Sequence, residues 1–108
     1  MPQGESHPTI ELDLNNSKFQ DNLFELEKAD RHSVMETMRK LRRMSWAQLY
    51  RDNGLRWEKI DRAVVPQGVA AVYSLRISQS RRATAYRDGN VLKFLSIPPD
   101  HDSTYGRK

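Results

Sequence analysis

The sequence predicts an α+β fold in which N-terminal helices pack on a C-terminal antiparallel β-meander of three to four strands. Three observations carry that expectation. Apolar residues recur at helical spacing from Ser17 to Tyr50, and the period changes to two after Gly54. Capping residues and turn residues stand where these two patterns begin and end. A chain of 108 residues has room for one domain, so residues 1–108 are read as a single unit. Charged residues reach 30%, but the thirteen Leu, Ile and Val between positions 49 and 97 fall in periodic runs, which a disordered composition does not give.

Residues 1–8, with Pro2, Gly4 and Pro8, read as an unanchored, disordered start. Thr9 to Leu14 alternates Ile10, Leu12 and Leu14 with polar positions, which predicts a short edge strand. Phe19, Leu23 and Leu26 then recur at i, i+4 and i+7 as one buried helical stripe. Ser33 and Glu36 match a capping box and announce a second helix with the stripe Val34, Met38 and Leu41. Met35, Met38 and Met44 are expected to pack along that helix or at its end. Arg39, Lys40, Arg42 and Arg43 form a basic run where cations suit the negative pole of the helix. Ser45-Trp46-Ala47-Gln48 repeats the capping pattern for a third helix through Tyr50, with Asn53-Gly54 as its stop and Gly54 expected in the left-handed conformation.

Beyond Gly54, residues Leu55 to Ile60 predict a strand and Val64 to Gly68 a turn or loop. Val69 to Ser78 places Ala71, Tyr73, Leu75 and Ile77 on one face and Ser74, Arg76 and Ser78 on the other. Arg81 to Arg87 and Val91 to Ile97 form a hairpin around Asp88-Gly89-Asn90, and Pro98-Pro99 stops the last strand. Residues 99–108 are a polar C-terminal tail. Trp57 is expected in the core, and Trp46 is expected to pack along its helix or at its end.

Composition excludes several classes of function. The chain has no Cys, so it has neither disulfides nor a thiolate nucleophile or metal ligand. The longest apolar run, Gly68 to Tyr73, is too short to span a membrane, and no signal-like segment opens the chain, so a cytoplasmic location is expected. The net charge of +4 conceals an uneven distribution. Residues 1–36 carry three basic and eight acidic side chains, and residues 37–108 carry fifteen basic and six acidic. A basic region of +9 points to a polyanionic partner, nucleic acid above all.

Within that region Arg76 projects from the polar face of one strand, and Arg82 opens the next after a short connection. Two converging guanidiniums bind phosphate bidentately and stabilise charge developing on a phosphoryl group. A pair of solvated strand arginines is the plain alternative. His101, between Asp100 and Asp102, suits proton transfer near neutral pH, and Tyr105 can stack on an unpaired base. Glu58 stands among basic neighbours as a candidate general base or as an exposed ion-pair partner. Glycine-rich phosphate loops, H-E-x-x-H, G-x-S-x-G and metal-spaced histidines are all missing from the sequence, so no metal and no small-molecule cofactor are expected.

The segments Tyr73-Ser-Leu-Arg76-Ile-Ser, Arg82-Ala-Thr-Ala-Tyr-Arg87-Asp-Gly-Asn and Leu95-Ser-Ile-Pro-Pro-Asp-His101-Asp-Ser-Thr-Tyr105 follow the predicted helices. In that order they resemble the RelE/ParE toxin superfamily of bacterial type II toxin–antitoxin systems, within it the RelE-like and HigB-like branch. The resemblance covers residues 17 to 106. It implies a toxin that cleaves mRNA in the ribosomal A site without a metal and is neutralised by a cognate antitoxin protein. It implies that Arg76 and Arg82 bind phosphate and stabilise the transition state. It also implies that His101 acts as an acid or base, that Tyr105 orients or stacks on substrate, and that Arg81, Arg87 and Lys93 contact the RNA. This sequence departs from some members in having no lysine between Val69 and Ser78, which leaves both Glu58 and His101 as candidates for the base. The ParE branch shares the fold but inhibits DNA gyrase by protein–protein contact, and it generally lacks the terminal His and Tyr. A non-catalytic nucleic-acid-binding protein is the third reading. It would need a recognition helix, and the one basic helix bunches its charges at its C-terminal end.

Overall fold

The period of the apolar positions changes once along the chain, and the architecture divides at the same place. The computed structural model describes residues 8–61 and 65–99. Among the described residues three helices, α1 (Ser17–Glu25), α2 (Lys28–Leu41) and α3 (Trp46–Arg51), follow one strand, β1 (Glu11–Asp13). Four more strands come after them: β2 (Glu58–Lys59), β3 (Tyr73–Arg76), β4 (Arg82–Asp88) and β5 (Val91–Ser96). The protein is therefore α+β, with one five-stranded sheet in the order β1-β5-β4-β3-β2. The sheet is mixed, because β1 lies at an edge and runs parallel to β5, whereas the other three pairings are antiparallel. A parallel neighbour requires a long crossover, which the helices and the later strands supply. None of the described helices is long and apolar enough to cross a membrane.

The core lies between the helices and one face of the sheet. Phe19 of α1 packs on Phe94 of β5 with ring centroids 4.9 Å apart, and the stripe Val34, Met38 and Leu41 is buried as the helical spacing predicts. Ala83 and Ala85 are fully buried on β4, where small side chains let the helices approach the sheet. The β4–β5 turn docks the rest of the chain. Gly89 (φ 62°) takes the first of two turn positions, where a β-carbon would be strained. Next to it, the Asn90 carbonyl accepts from the Glu11 amide (3.1 Å) and the Trp46 indole (3.2 Å).

Several expectations need correction. The second helix begins at Lys28, not at Ser33, because Leu26 and Glu27 alone separate it from α1 and nothing in Lys28 to His32 disfavours helix. Ser33 and Glu36 therefore sit inside α2, and Glu36 faces Arg39 at 3.8 Å. Met35 is 57% exposed, since it lies one position off the buried stripe. The left-handed residue after α3 is Arg56 (φ 52°), not Gly54. There the Asp52 carboxylate accepts from the Leu55 amide at 2.9 Å and closes the turn itself. The strand expected over Leu55 to Ile60 contracts to Glu58–Lys59 because Leu55 turns into the core. That expected over Val69 to Ser78 contracts to Tyr73–Arg76. The turn at residues 65–68 forms, with Gly68 at φ 84° and the Val69 amide donating to the Pro66 carbonyl (3.0 Å).

Ser45 caps α3 as the sequence predicts. Its hydroxyl accepts from the Gln48 amide (3.2 Å), and the Gln48 side chain accepts from the Ser45 amide (2.9 Å). Ser45→Ala is expected to lower stability by about 1 kcal/mol in urea unfolding. Ser45→Thr should restore most of it.

Candidate functional site

Strand alternation places Ser74, Arg76, Arg82 and Thr84 on the face of the sheet opposite the helices, while Leu75, Ala83 and Ala85 point into the core. Arg76 and Arg82 are direct cross-strand partners, and Ser74 stands opposite Thr84 in the same register. The two arginines singled out by the sequence therefore meet. The row continues in both directions. Glu58 pairs with Ser74, and Thr84 pairs with Ser96, their hydroxyls 2.6 Å apart.

Arg82 is held from several sides. Its Nη2 donates to Ser74 Oγ (2.7 Å) and to the Arg56 carbonyl (3.1 Å), and its Nε donates to Ser74 Oγ (3.3 Å). Glu58 completes the set, with one carboxylate oxygen 3.5 Å from Arg82 Nη2 and the other 3.4 Å from Arg56. The positive φ of Arg56 belongs to this arrangement, because it occurs at the residue whose carbonyl takes the Arg82 bond. The Arg82 side chain is only 27% exposed. Burial pushes its guanidinium below the usual arginine range, and the like charges of Arg56 and Arg76 push the same way against the attraction of Glu58. Arg82 still stays protonated at neutral pH. Arg56 and Arg82 thus share one carboxylate, and Arg76, across the strand from Arg82, has no salt bridge among the described residues. An anion is the natural complement of such a cluster.

A cavity of about 670 Å³ opens beside Arg82. Ser74, Thr84 and Ser96 bring hydroxyls to it, Lys18 from the first turn of α1 adds a cation, and Ile60, Val72, Leu95 and Pro98 give it apolar walls. A basic mouth, hydrogen-bonding hydroxyls and apolar walls suit a nucleotide, whose phosphate is charged and whose base is flat and apolar.

The other expected contacts are distributed differently. Arg81 lies 3.7 Å from Asp30, on the helical side. Arg87 sits over the Trp46 ring at 4.6 Å, donates to the Gly89 carbonyl (2.7 Å) and donates to the Tyr50 hydroxyl (2.9 Å). Lys93 pairs with Asp88 at 3.2 Å, and the hydrogen bond its ammonium donates to that carboxylate holds it above the usual range. None of these three reaches the Arg76–Arg82 pair. His101 and Tyr105 lie outside the described residues, as do residues 1–7, 62–64 and 100–108 as a whole. Three of the four cations in the basic run at the end of α2 are engaged internally, since Lys40 pairs with Asp52 at 2.9 Å, Arg42 donates to the Ile10 carbonyl at 2.6 Å and Arg39 faces Glu36 at 3.8 Å.

Ser74, Arg56 and Lys18 were not expected at the site. Ser74 had a readable signal, since it shares the polar alternation of Arg76. Arg56 and Lys18 had none, because a left-handed backbone and a helix position set by tertiary packing decide their places. Compared with known proteins, the chain matches no family model, no curated protein and no solved structure.

The turn carrying Arg56 depends on Asp52. The Lys40 ammonium hydrogen-bonded to Asp52 holds its carboxyl below the usual carboxylate range, against the opposing effect of burial. A carboxyl with a lowered folded value adds stability above its unfolded value of 3.8 and loses it as the pH falls through the folded value. Asp52→Asn is therefore expected to melt below the parent at pH 7, with the gap closing as the pH drops below 3.8. Thermal melts across that range check it.

Proposed function

We propose that the protein is the toxin of a type II toxin–antitoxin pair and acts as a ribosome-dependent mRNA endoribonuclease. The observation that carries the reading is the cationic cluster on the open face of the sheet. Arg82 is immobilised by Ser74 and the Arg56 carbonyl, stands directly across from Arg76, and has Glu58 as its one carboxylate partner among the described residues. The resemblance of residues 73–105 to the RelE/ParE superfamily supports the same reading. The protein would then act in the cytoplasm, with a cognate antitoxin as its protein partner.

In the proposed reaction the 2′-hydroxyl oxygen of the RNA attacks the adjacent phosphorus. A bond from O2′ to phosphorus forms and the bond to O5′ breaks, leaving a 2′,3′-cyclic phosphate and a 5′-hydroxyl. One proton leaves the attacking hydroxyl for a base, and one is delivered to the departing oxygen by an acid. No metal is needed, because Arg76 and Arg82 supply positive charge where the phosphorane gains negative charge. Glu58 touches Arg82 and is one candidate proton acceptor. His101 is the other candidate acceptor and otherwise the acid. Tyr105 would orient or stack on the substrate.

Induction in a bacterium, followed by primer extension on a translated message, tests the reading. Cuts within coding sequence are expected for the parent. Arg82→Ala is expected to reduce them by about 100-fold or more, the scale of losing a transition-state donor. Intact message accompanied by DNA damage would instead support a gyrase inhibitor. The pH profile of cleavage separates the two bases. If Glu58 is the acceptor, Glu58→Gln removes the acidic limb, whereas if His101 is, that limb is lost in His101→Ala.

A further inference from the structure

We propose that a second cavity, at the opposite end of β3 and β4 from the arginine pair, is a subsite for an unpaired nucleobase of the RNA. The proposal rests on the nuclease reading above and deepens it. The cavity encloses about 630 Å³, within the range of small-ligand pockets. Its aromatic wall is Trp57, Tyr73, Tyr86 and Tyr50. Trp57 and Tyr73 are stacked with centroids 4.6 Å apart and planes only 12° from parallel, and Trp46 meets Trp57 edge-on at 5.5 Å. A flat, rigid aromatic surface is what an unstacked base seeks once it leaves its own neighbours.

The facing wall is the backbone of residues 67–71, where Gly68, Ala70 and Ala71 carry almost no side chain and leave the space open. The left-handed turn at Gly68 bends this stretch across the end of the sheet. Gln67 and Asp88 bring an amide and a carboxylate to the rim. These are groups that pair with the amino and carbonyl edges of bases. Arg87 explains the rigidity of the wall, since it bridges Trp46, Tyr50 and the Gly89 carbonyl. Its part is to fix the aromatic surface, not to contact phosphate directly.

The position suits one continuous substrate. Tyr86, Thr84 and Arg82 alternate along the same face of β4, which sets the Cα atoms of Tyr86 and Arg82 about 13 Å apart at ordinary strand rise, whereas Tyr73 faces the helical side. An RNA strand whose scissile phosphate sits at Arg76 and Arg82 can run along that face to Tyr86 and turn a neighbouring base over the end of the sheet onto Tyr73.

Both tryptophans of the chain, Trp46 and Trp57, belong to this cluster, so tryptophan fluorescence, excited where tyrosine does not absorb, reports on it. The test is titration of the full chain with adenosine, cytidine and uridine, which carry no phosphate. Saturable quenching is expected, kept in Arg82→Ala and weakened at least several-fold in Tyr86→Leu. Gln67→Ala, a change in an exposed turn, is expected to weaken one nucleoside more than the others. Absence of saturable quenching would overturn the subsite. So would equal quenching in the parent, Tyr86→Leu and Gln67→Ala, or loss of quenching in Arg82→Ala. Message cleavage is scored separately. Quenching without any cleavage supports nucleobase binding here and overturns the nuclease reading instead.

Discussion

The side chain of Arg82 is partly buried yet left short of counter-charge, and the rest of the site depends on that imbalance. Neutral oxygens, the Ser74 hydroxyl and the Arg56 carbonyl, take most of its hydrogen bonds. They fix its orientation without cancelling its charge. Glu58 supplies one negative charge but divides it between Arg56 and Arg82. Arg76, exposed directly across the strand, adds a like charge that an incoming phosphate would relieve. A preorganised cation of this kind stabilises developing negative charge without first having to reorganise.

The fold serves this arrangement at some distance. The Lys40–Asp52 pair and the Asp52–Leu55 bond close the turn after α3, and that turn delivers Arg56 with its carbonyl toward Arg82. Packing of α1 on β5 through Phe19 and Phe94 brings Lys18 to the same cavity as Ser96 and Thr84. The short β4–β5 turn, gripped by β1 and Trp46, sets the register of the two strands that carry the hydroxyl row.

What the sequence made legible follows the range of the forces involved. The change of period at Gly54, the α3 capping box and the Gly89 turn are local, and each is found where its residues stand. Arg76 and Arg82 could be paired because period two and a five-residue connection leave antiparallel neighbours few other registers. Ser33 and Glu36 misled because their spacing satisfies a capping box and a helix interior equally well. Arg56 was invisible because its left-handed backbone is imposed by the bond between Asp52 and Leu55, and Gly54 drew that expectation to itself. The parallel pairing of β1 with β5 was hidden for a related reason, since Glu11 and Val91 are eighty positions apart. Lys18 is likewise sixty-four positions from Arg82.

The charge segregation also takes a more particular form. Much of the basic excess does not face outward as a uniform patch, because Lys40, Arg42, Arg81, Arg87 and Lys93 each have an intramolecular partner. Among the described residues, Arg56, Arg76 and Arg82 around Glu58 form a cluster with surplus positive charge. In the proposed reaction this cluster drives internal attack by a ribose hydroxyl on its own phosphate. The most direct test is the end chemistry of RNA cut by the purified protein on translating ribosomes, read by mass spectrometry with and without a single 2′-deoxy nucleotide at the cut. The claim requires a 2′,3′-cyclic phosphate and a 5′-hydroxyl, and no cut at the deoxy position. A 5′-phosphate product, or undiminished cutting at that position, would contradict it.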